Sequence, residues 1–153
     1  MRPEGKVETE VEVVVCRRIR FSAGHRYYKP DWSEEKNREM FGRAYTPAGH
    51  GHNFILEAYV TGPIDPQTGM ILNLRDLDSA LRRVVEPLDH HFLNTDVPEF
   101  RDTVPTTENL AAYLYRAVAQ SLDSGRLRLV KVRLYEDEDL WVDYGPAAEA
   151  VGC

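Results

Sequence analysis

The chain has 153 residues, with 19 Lys and Arg against 25 Asp and Glu and a formal net charge of -6. This length suits one domain that buries roughly 70% of its unfolded surface, and the acidic balance speaks against a nucleic-acid binder, which carries a basic patch or stripe. No apolar run nears the roughly 20 residues that span a bilayer; the opening residues hold no signal-peptide core, and Cys16 and Cys153 make no disulfide framework, so a reducing cytoplasm is the expected compartment.

In chain order, residues 1–10 read as a polar arm on a single domain spanning 1–153. Val11 to Phe21 is rich in β-branched residues and predicts a strand, broken at Lys29-Pro30-Asp31. Ser33 is placed to cap a short helix over Glu34 to Phe41, with Glu34 and Glu35 at its positive end. Gly42 to Gly51 reads as a loop, and His52 to Thr61 as a second strand. A turn-rich run from Gly62 to Gly69 follows. Asn73 caps a helix whose stripe is Leu77, Leu81, Val84, Val85 and Leu88, with Pro87 ending it. Thr106 caps a second helix that buries Leu110, Tyr113, Leu114, Ala117, Val118 and Leu122 and stops at Gly125. Leu129 to Glu136 and Leu140 to Tyr144 pair as a hairpin across Asp137-Glu138-Asp139. The order implies an α+β domain, with helices packed on an antiparallel sheet.

The five histidines are grouped: His25 after strand one, His50-Gly51-His52 at the start of strand two, and His90-His91 after the first long helix. Residues two apart on a strand share a face. His50 and His52 therefore align with Phe54, Leu56, Ala58 and Val60 and face inward, with Gly51 allowing a bend between them. Together with His25 they form a candidate three-nitrogen metal site. Zinc takes such ligands at about 2.0–2.1 Å and leaves a fourth position open. The competing reading is three core imidazoles hydrogen-bonded to backbone.

The inward row Val130, Val132, Leu134 continues to Glu136. A carboxylate there is costly unless it is partnered. It reads either as an anchor for a planar N–H edge or as part of a frayed acidic turn. Asp89 before His90 reads as a proton shuttle if the loop bends, or as a polar helix stop. Thr106-Thr107-Glu108 reads as a helix cap or a ligand site. Arg17, Arg18, Arg20, Arg26 and Lys29 read as a solvated face or a seat for phosphates.

One ordered series carries a resemblance: Phe21-Ser22-Ala23-Gly24-His25, Glu34-Glu35-Lys36-Asn37, Met40-Phe41-Gly42, Gly49-His50-Gly51-His52-Asn53, Ile64-Asp65-Pro66, Thr68-Gly69-Met70, Leu88-Asp89-His90, Thr106-Thr107-Glu108-Asn109, and Glu136. It resembles the 6-pyruvoyltetrahydropterin synthase family, which includes the 6-carboxytetrahydropterin synthases, over about residues 13 to 145. The resemblance implies a tunnelling fold: a four-stranded antiparallel sheet with two helices on one face, three subunits closing a barrel, and two trimers forming a homohexamer with sites between subunits. It implies that His25, His50 and His52 bind Zn2+, that Glu136 anchors a pterin with Thr106, Thr107 and Glu108, and that Asp89 and His90 move protons. The implied substrate is 7,8-dihydroneopterin triphosphate, with no nucleic-acid or membrane partner.

The chain departs from the family at one place. Members of the family usually carry a proton-moving cysteine just ahead of the His-Gly-His pair. Here Phe41-Gly42-Arg43 is followed by Ala44, and the alternative spacing lands on Thr46. The expectation is therefore a zinc-dependent lyase with altered chemistry, in which side-chain cleavage is favoured over pyruvoyl product formation. The alternatives are a 6-carboxytetrahydropterin synthase in which another residue replaces the thiol, and a pterin-binding homologue with little or no turnover.

Overall fold

The computed structural model describes residues 12–123 and 125–146. The expected arm at 1–10, Val11 and Cys153 lie outside them. Two long strands open the fold, β1 (Val14–His25) and β2 (His50–Thr61). They pair antiparallel over their whole length, from Val14 opposite Thr61 to His25 opposite His50. The first strand therefore begins at Val14, with Glu12 and Val13 outside it, and runs four residues beyond the expected end at Phe21, because Ser22, Ala23, Gly24 and His25 stay in register with β2. The second begins two residues earlier than expected, at His50. The bend anticipated at Gly51 is absent. Gly51 sits in the regular ladder opposite Gly24, where a side-chain carbon would meet the Ala23 carbonyl at 3.3 Å.

Between these strands lies α1 (Glu34–Phe41), capped by Ser33 accepting from the Lys36 N–H. A 3-10 turn over Gly42–Tyr45 occupies part of the expected loop. After β2 come α2 (Leu74–Val85), capped by Asn73, the two-residue strand β3 (His91–Phe92), and the single turn α3 (Leu93–Asp96). Next is α4 (Thr107–Ser121), capped by Thr106. It ends before the expected stop at Gly125, because Leu122 turns extended (φ -95°, ψ 151°) and packs its side chain on the core. The hairpin β4 (Arg128–Asp137) and β5 (Leu140–Tyr144) closes the chain.

The sheet order is β3-β1-β2-β4-β5. The four long strands are antiparallel, as expected, and β3 adds a short parallel pairing at Ala23 and Gly24 that the sequence pattern does not reveal. One face is apolar. Phe54, Leu56, Ala58 and Val60 of β2 are fully buried, with Val132 and Leu134 of β4 beside them. Leu77, Leu81, Val84 and Val85 of α2, and Leu110, Leu114 and Val118 of α4, cover this face. Each such side chain contributes about 1.5–3 kcal/mol on burial. The opposite face is polar and uncovered among the described residues.

The inward row of each strand ends in polar groups at the same end of the sheet, beneath the start of α4. On β1 the row runs Phe21, Ala23, His25; on β2 it runs Leu56, Phe54, His52, His50. On β4, Leu134 leads to Glu136, where the pairing with β5 is irregular between Tyr135 and Asp137.

Candidate metal centre

The three imidazoles converge. His25 is fully buried and sits 4.6 Å from the His50 ring and 5.2 Å from the His52 ring, centroid to centroid; His50 and His52 are 5.1 Å apart. One ring nitrogen from each lies within 4.8 Å of the other two. A tetrahedral ion bound at about 2.0–2.1 Å would hold its ligands roughly 3.4 Å apart, so small ring rotations close the set. Phe54 lies beneath, edge-on to His25 and His52, and Phe21 stacks on Phe54 at 5.2 Å. The site thus has a rigid aromatic floor.

Hydrogen bonding supports this use of the rings. His25 Nδ1 lies 2.8 Å from the Pro105 carbonyl. Only an N–H can bond there, so Nδ1 donates and Nε2 keeps its lone pair. That Nε2 and the Nε2 of His52 are buried without a hydrogen-bond partner among the described residues. Orphaned buried polar atoms are costly, and a cation between them satisfies both. The Pro105 contact is the outer hydrogen bond that fixes the tautomer of a ligating histidine. Burial pushes the His25 pKa down to about 4, with the neighbouring imidazoles acting in the same direction. Burial also lowers the His50 pKa. Neutral imidazole is the form that ligates. The donor set therefore fits a zinc-like ion.

Glu136 turns inward at the irregular end of β4. Its Oε1 is 3.4 Å from His52 Nε2 without forming a hydrogen bond. Its Oε2 accepts a hydrogen bond from the Thr107 hydroxyl. Its side chain is only 12% exposed. Thr107 is the first residue of α4, so Pro105 and Thr107 bind the start of that helix to the site from two sides.

The remaining sequence candidates separate. Thr106 spends its hydroxyl on the α4 cap, accepting from the Asn109 N–H. Glu108 is exposed on the first turn. Asp89 and His90 meet each other: His90 adopts a left-handed conformation (φ 60°), which supplies the bend that adjacent residues need, and its Nδ1 lies 3.0 Å from Asp89 Oδ1. Asp89 also accepts from the Ser22 N–H at 2.8 Å, which together with His90 holds its carboxyl below the usual range. The pair is bonded to Ser22 on the edge of β1 that β3 continues, with the His90 side chain 82% exposed. No hydrogen bond, ion pair or ring contact joins it to the three imidazoles or Glu136 among the described residues.

Two contributors escape the sequence reading. One is the Pro105 carbonyl, a backbone group with no residue signature. The other is Tyr27, whose ring packs edge-on to His25 at 5.4 Å and whose hydroxyl pKa is pushed up by burial. Tyr27 N–H also donates to the Ala44 carbonyl at 2.7 Å, so Ala44 is held beside the segment that leaves His25. Gly49, just before His50, has φ +71°, and a side-chain carbon there would lie 2.5 Å from the Phe92 ring.

The 6-pyruvoyl tetrahydropterin synthase family profile matches residues 14–147. The chain belongs to this family. It is 45% identical over 131 residues to the human 6-pyruvoyl tetrahydrobiopterin synthase, covering 85% of this chain and 89% of the relative. It is 42% identical over 134 residues to the Drosophila melanogaster 6-pyruvoyl tetrahydrobiopterin synthase, covering 86% and 79%. The solved Caenorhabditis elegans 6-pyruvoyl tetrahydropterin synthase superposes with a TM-score of 0.84 at 31% identity, over 90% of this chain and 97% of that one. The sheet and helices described above are thus those of the 6-pyruvoyl tetrahydropterin synthase fold. Among the described residues, no helix is long and apolar enough to cross a membrane.

Proposed function

We propose that this chain is a zinc-dependent lyase acting on the side chain of 7,8-dihydroneopterin triphosphate, with chemistry altered at the position of Ala44. The observation that carries the reading is the convergence of His25, His50 and His52, with two orphaned Nε2 atoms, beside the inward carboxylate of Glu136. Held by these three rings, zinc would act as a Lewis acid that lowers the pKa of a substrate hydroxyl.

Glu136 accepts two N–H bonds from the flat edge of the pterin, and Thr107 fixes the carboxylate that does so. Phe54 and Tyr27 flank the rings and exclude water. Asp89 orients His90, which exchanges protons with the substrate side chain. Because the His90 side chain points into solvent without touching the imidazoles of its own chain, the pair serves the site of a neighbouring subunit in a dimer of trimers. Ala44 offers no acid or base. Triphosphate elimination with internal redox needs a proton taken from carbon, which a missing thiol makes slow. Cleavage between the first two side-chain carbons needs less: the second hydroxyl loses its proton, the carbon–carbon bond breaks to give a phosphorylated aldehyde, and the carbon left on the ring takes up a proton. The favoured product is 6-hydroxymethyl-dihydropterin.

Ala44 also supports a second reading, a pterin binder with little turnover. Product analysis after incubation with 7,8-dihydroneopterin triphosphate separates them. 6-Hydroxymethyl-dihydropterin supports the proposal. 6-Pyruvoyltetrahydropterin indicates the ordinary reaction, and 6-carboxytetrahydropterin with acetaldehyde a carboxy synthase. Tight binding with no metal-dependent product supports the binder. Metal analysis should find near one zinc per chain, lost in His50→Ala; a metal-free wild type would overturn the whole reading.

A further inference from the structure

The uncovered face of the sheet has the opposite charge balance from the chain as a whole. Its central rows present Arg18 and Arg20 from β1 and Lys131 and Arg133 from β4. Against these four cations stand two carboxylates, Glu57 and Asp143. Glu57 is 5% exposed and takes both the Arg18 guanidinium and the Tyr59 hydroxyl. Asp143 is shared by Lys131 and Arg133, at 2.9 Å and 2.6 Å. Arg20 has no hydrogen-bond or ion-pair partner among the described residues. A chain of net charge -6 thus carries two cationic charges in excess across these central rows, away from the acidic hairpin tip.

This excess borders a cavity. A space of about 620 Å³ is lined by Arg18, Arg20, Asn53, Ile55 and Tyr135, and reaches His52 and Glu136. Its opposite rim is the acidic hairpin tip, Asp137 and Glu138. Asn53 accepts from the Ser22 hydroxyl through its amide oxygen at 2.7 Å, which leaves its NH₂ free to donate. The β1 side therefore offers only donors and positive charge, while the hairpin side repels anions. An anionic group tethered near Glu136 is thus pushed from the carboxylates of Glu136, Asp137 and Glu138 toward Arg20.

We infer that Arg20, with Asn53 and the outer N–H groups of Arg18, forms a polyphosphate subsite on the uncovered sheet face, continuous with the metal centre. It takes the triphosphate tail of the substrate, and to that extent it rests on the pterin reading above. Arginine suits phosphate because its planar fork donates two parallel bonds. The separation of roles follows: the rings and Glu136 hold the reacting end, and the sheet face holds the charged end.

The test uses the full chain, with Arg83→Gln on the exposed side of α2 as a control that removes the same charge away from the cavity. Inorganic tripolyphosphate is titrated calorimetrically into wild type, Arg20→Gln and Arg83→Gln, with metal content assayed before and after so that chelation is not read as binding. In parallel, 7,8-dihydroneopterin, which lacks phosphate, is titrated into the same three proteins. Arg20→Gln should weaken tripolyphosphate about tenfold, make binding less sensitive to salt, and leave 7,8-dihydroneopterin unchanged. Equal tripolyphosphate affinity in wild type and Arg20→Gln, an equal loss in Arg83→Gln, or an equal loss of 7,8-dihydroneopterin would each overturn the subsite. If 7,8-dihydroneopterin fails to bind wild type while tripolyphosphate shows the Arg20 dependence, the pterin reading falls and the anion subsite stands.

Discussion

Thr107→Val removes one hydroxyl and keeps the branched shape of a residue that is 2% exposed. The packing of α4 is preserved, and the capping hydroxyl belongs to Thr106, so the helix start survives. What is lost is the bond donated to Glu136, whose side chain is 12% exposed and receives little water in compensation. A hydrogen bond to a charged group contributes about 1.5–3 kcal/mol, and the carboxylate left behind retains its desolvation cost. Stability should therefore fall by about 2 kcal/mol in urea. The freed carboxylate can then swing toward His52, and returning it to a pterin edge uses part of the binding energy. If that reorientation costs about 1.4 kcal/mol, 7,8-dihydroneopterin binds about tenfold more weakly. Fluorescence titration reads the affinity, and metal analysis should show zinc content unchanged. Thr107→Ser keeps the hydroxyl and should restore most of both losses. An affinity that is unchanged or tighter in Thr107→Val would show that Thr107 does not position Glu136 for a ligand.

Leu114→Ala empties a fully buried position between α4 and the sheet and should cost about 2–5 kcal/mol in chemical denaturation, with metal content retained in the folded fraction. Asp143→Asn breaks the carboxylate shared by Arg133 and Lys131; with about a third of that side chain in solvent, the loss at pH 7 should be about 1 kcal/mol. The Arg133 hydrogen bond holds the Asp143 carboxyl down to about 2 from a usual 3.8, so its stabilisation is complete above pH 4 and fades as pH falls toward 2. The stability gap between wild type and Asp143→Asn should narrow over that window, and a pH-independent gap would refute the assignment. Ala44→Cys returns a thiol to the turn paired with Tyr27, and should raise 6-pyruvoyltetrahydropterin formation at least tenfold without changing zinc content; chromatography of the products checks it.

Period-two alternation was enough to send His50 and His52 inward, because every residue of that row down to Val60 is apolar and buried. The same counting carried Leu134 to Glu136 even through an irregular pairing. The caps at Ser33, Asn73 and Thr106 were readable because each is a short polar side chain before a periodic run. Other features follow from tertiary contacts. The parallel strand β3 is two residues long and exists only because α2 delivers His91 to Ala23. The Pro105 carbonyl joins the site across an eighty-residue separation and the Tyr27 ring by folding back over His25, neither of which leaves a local pattern. The contact between Asp89 and His90 depends on one positive φ that the dipeptide does not announce.

The two glycines flanking the Ala44 turn behave differently. At Gly42 a side-chain carbon meets nothing within 4 Å, whereas at Gly49 it collides with Phe92 and approaches the His25 carbonyl at 3.0 Å. Backbone alone (φ +54°) holds Gly42 as glycine, burial holds Tyr45, and both backbone (φ +71°) and neighbours hold Gly49, so within this stretch a side chain changes most freely at Arg43, Ala44 and Thr46. Side-chain change in this scaffold is tolerated at position 44 and forbidden one step before the first β2 histidine.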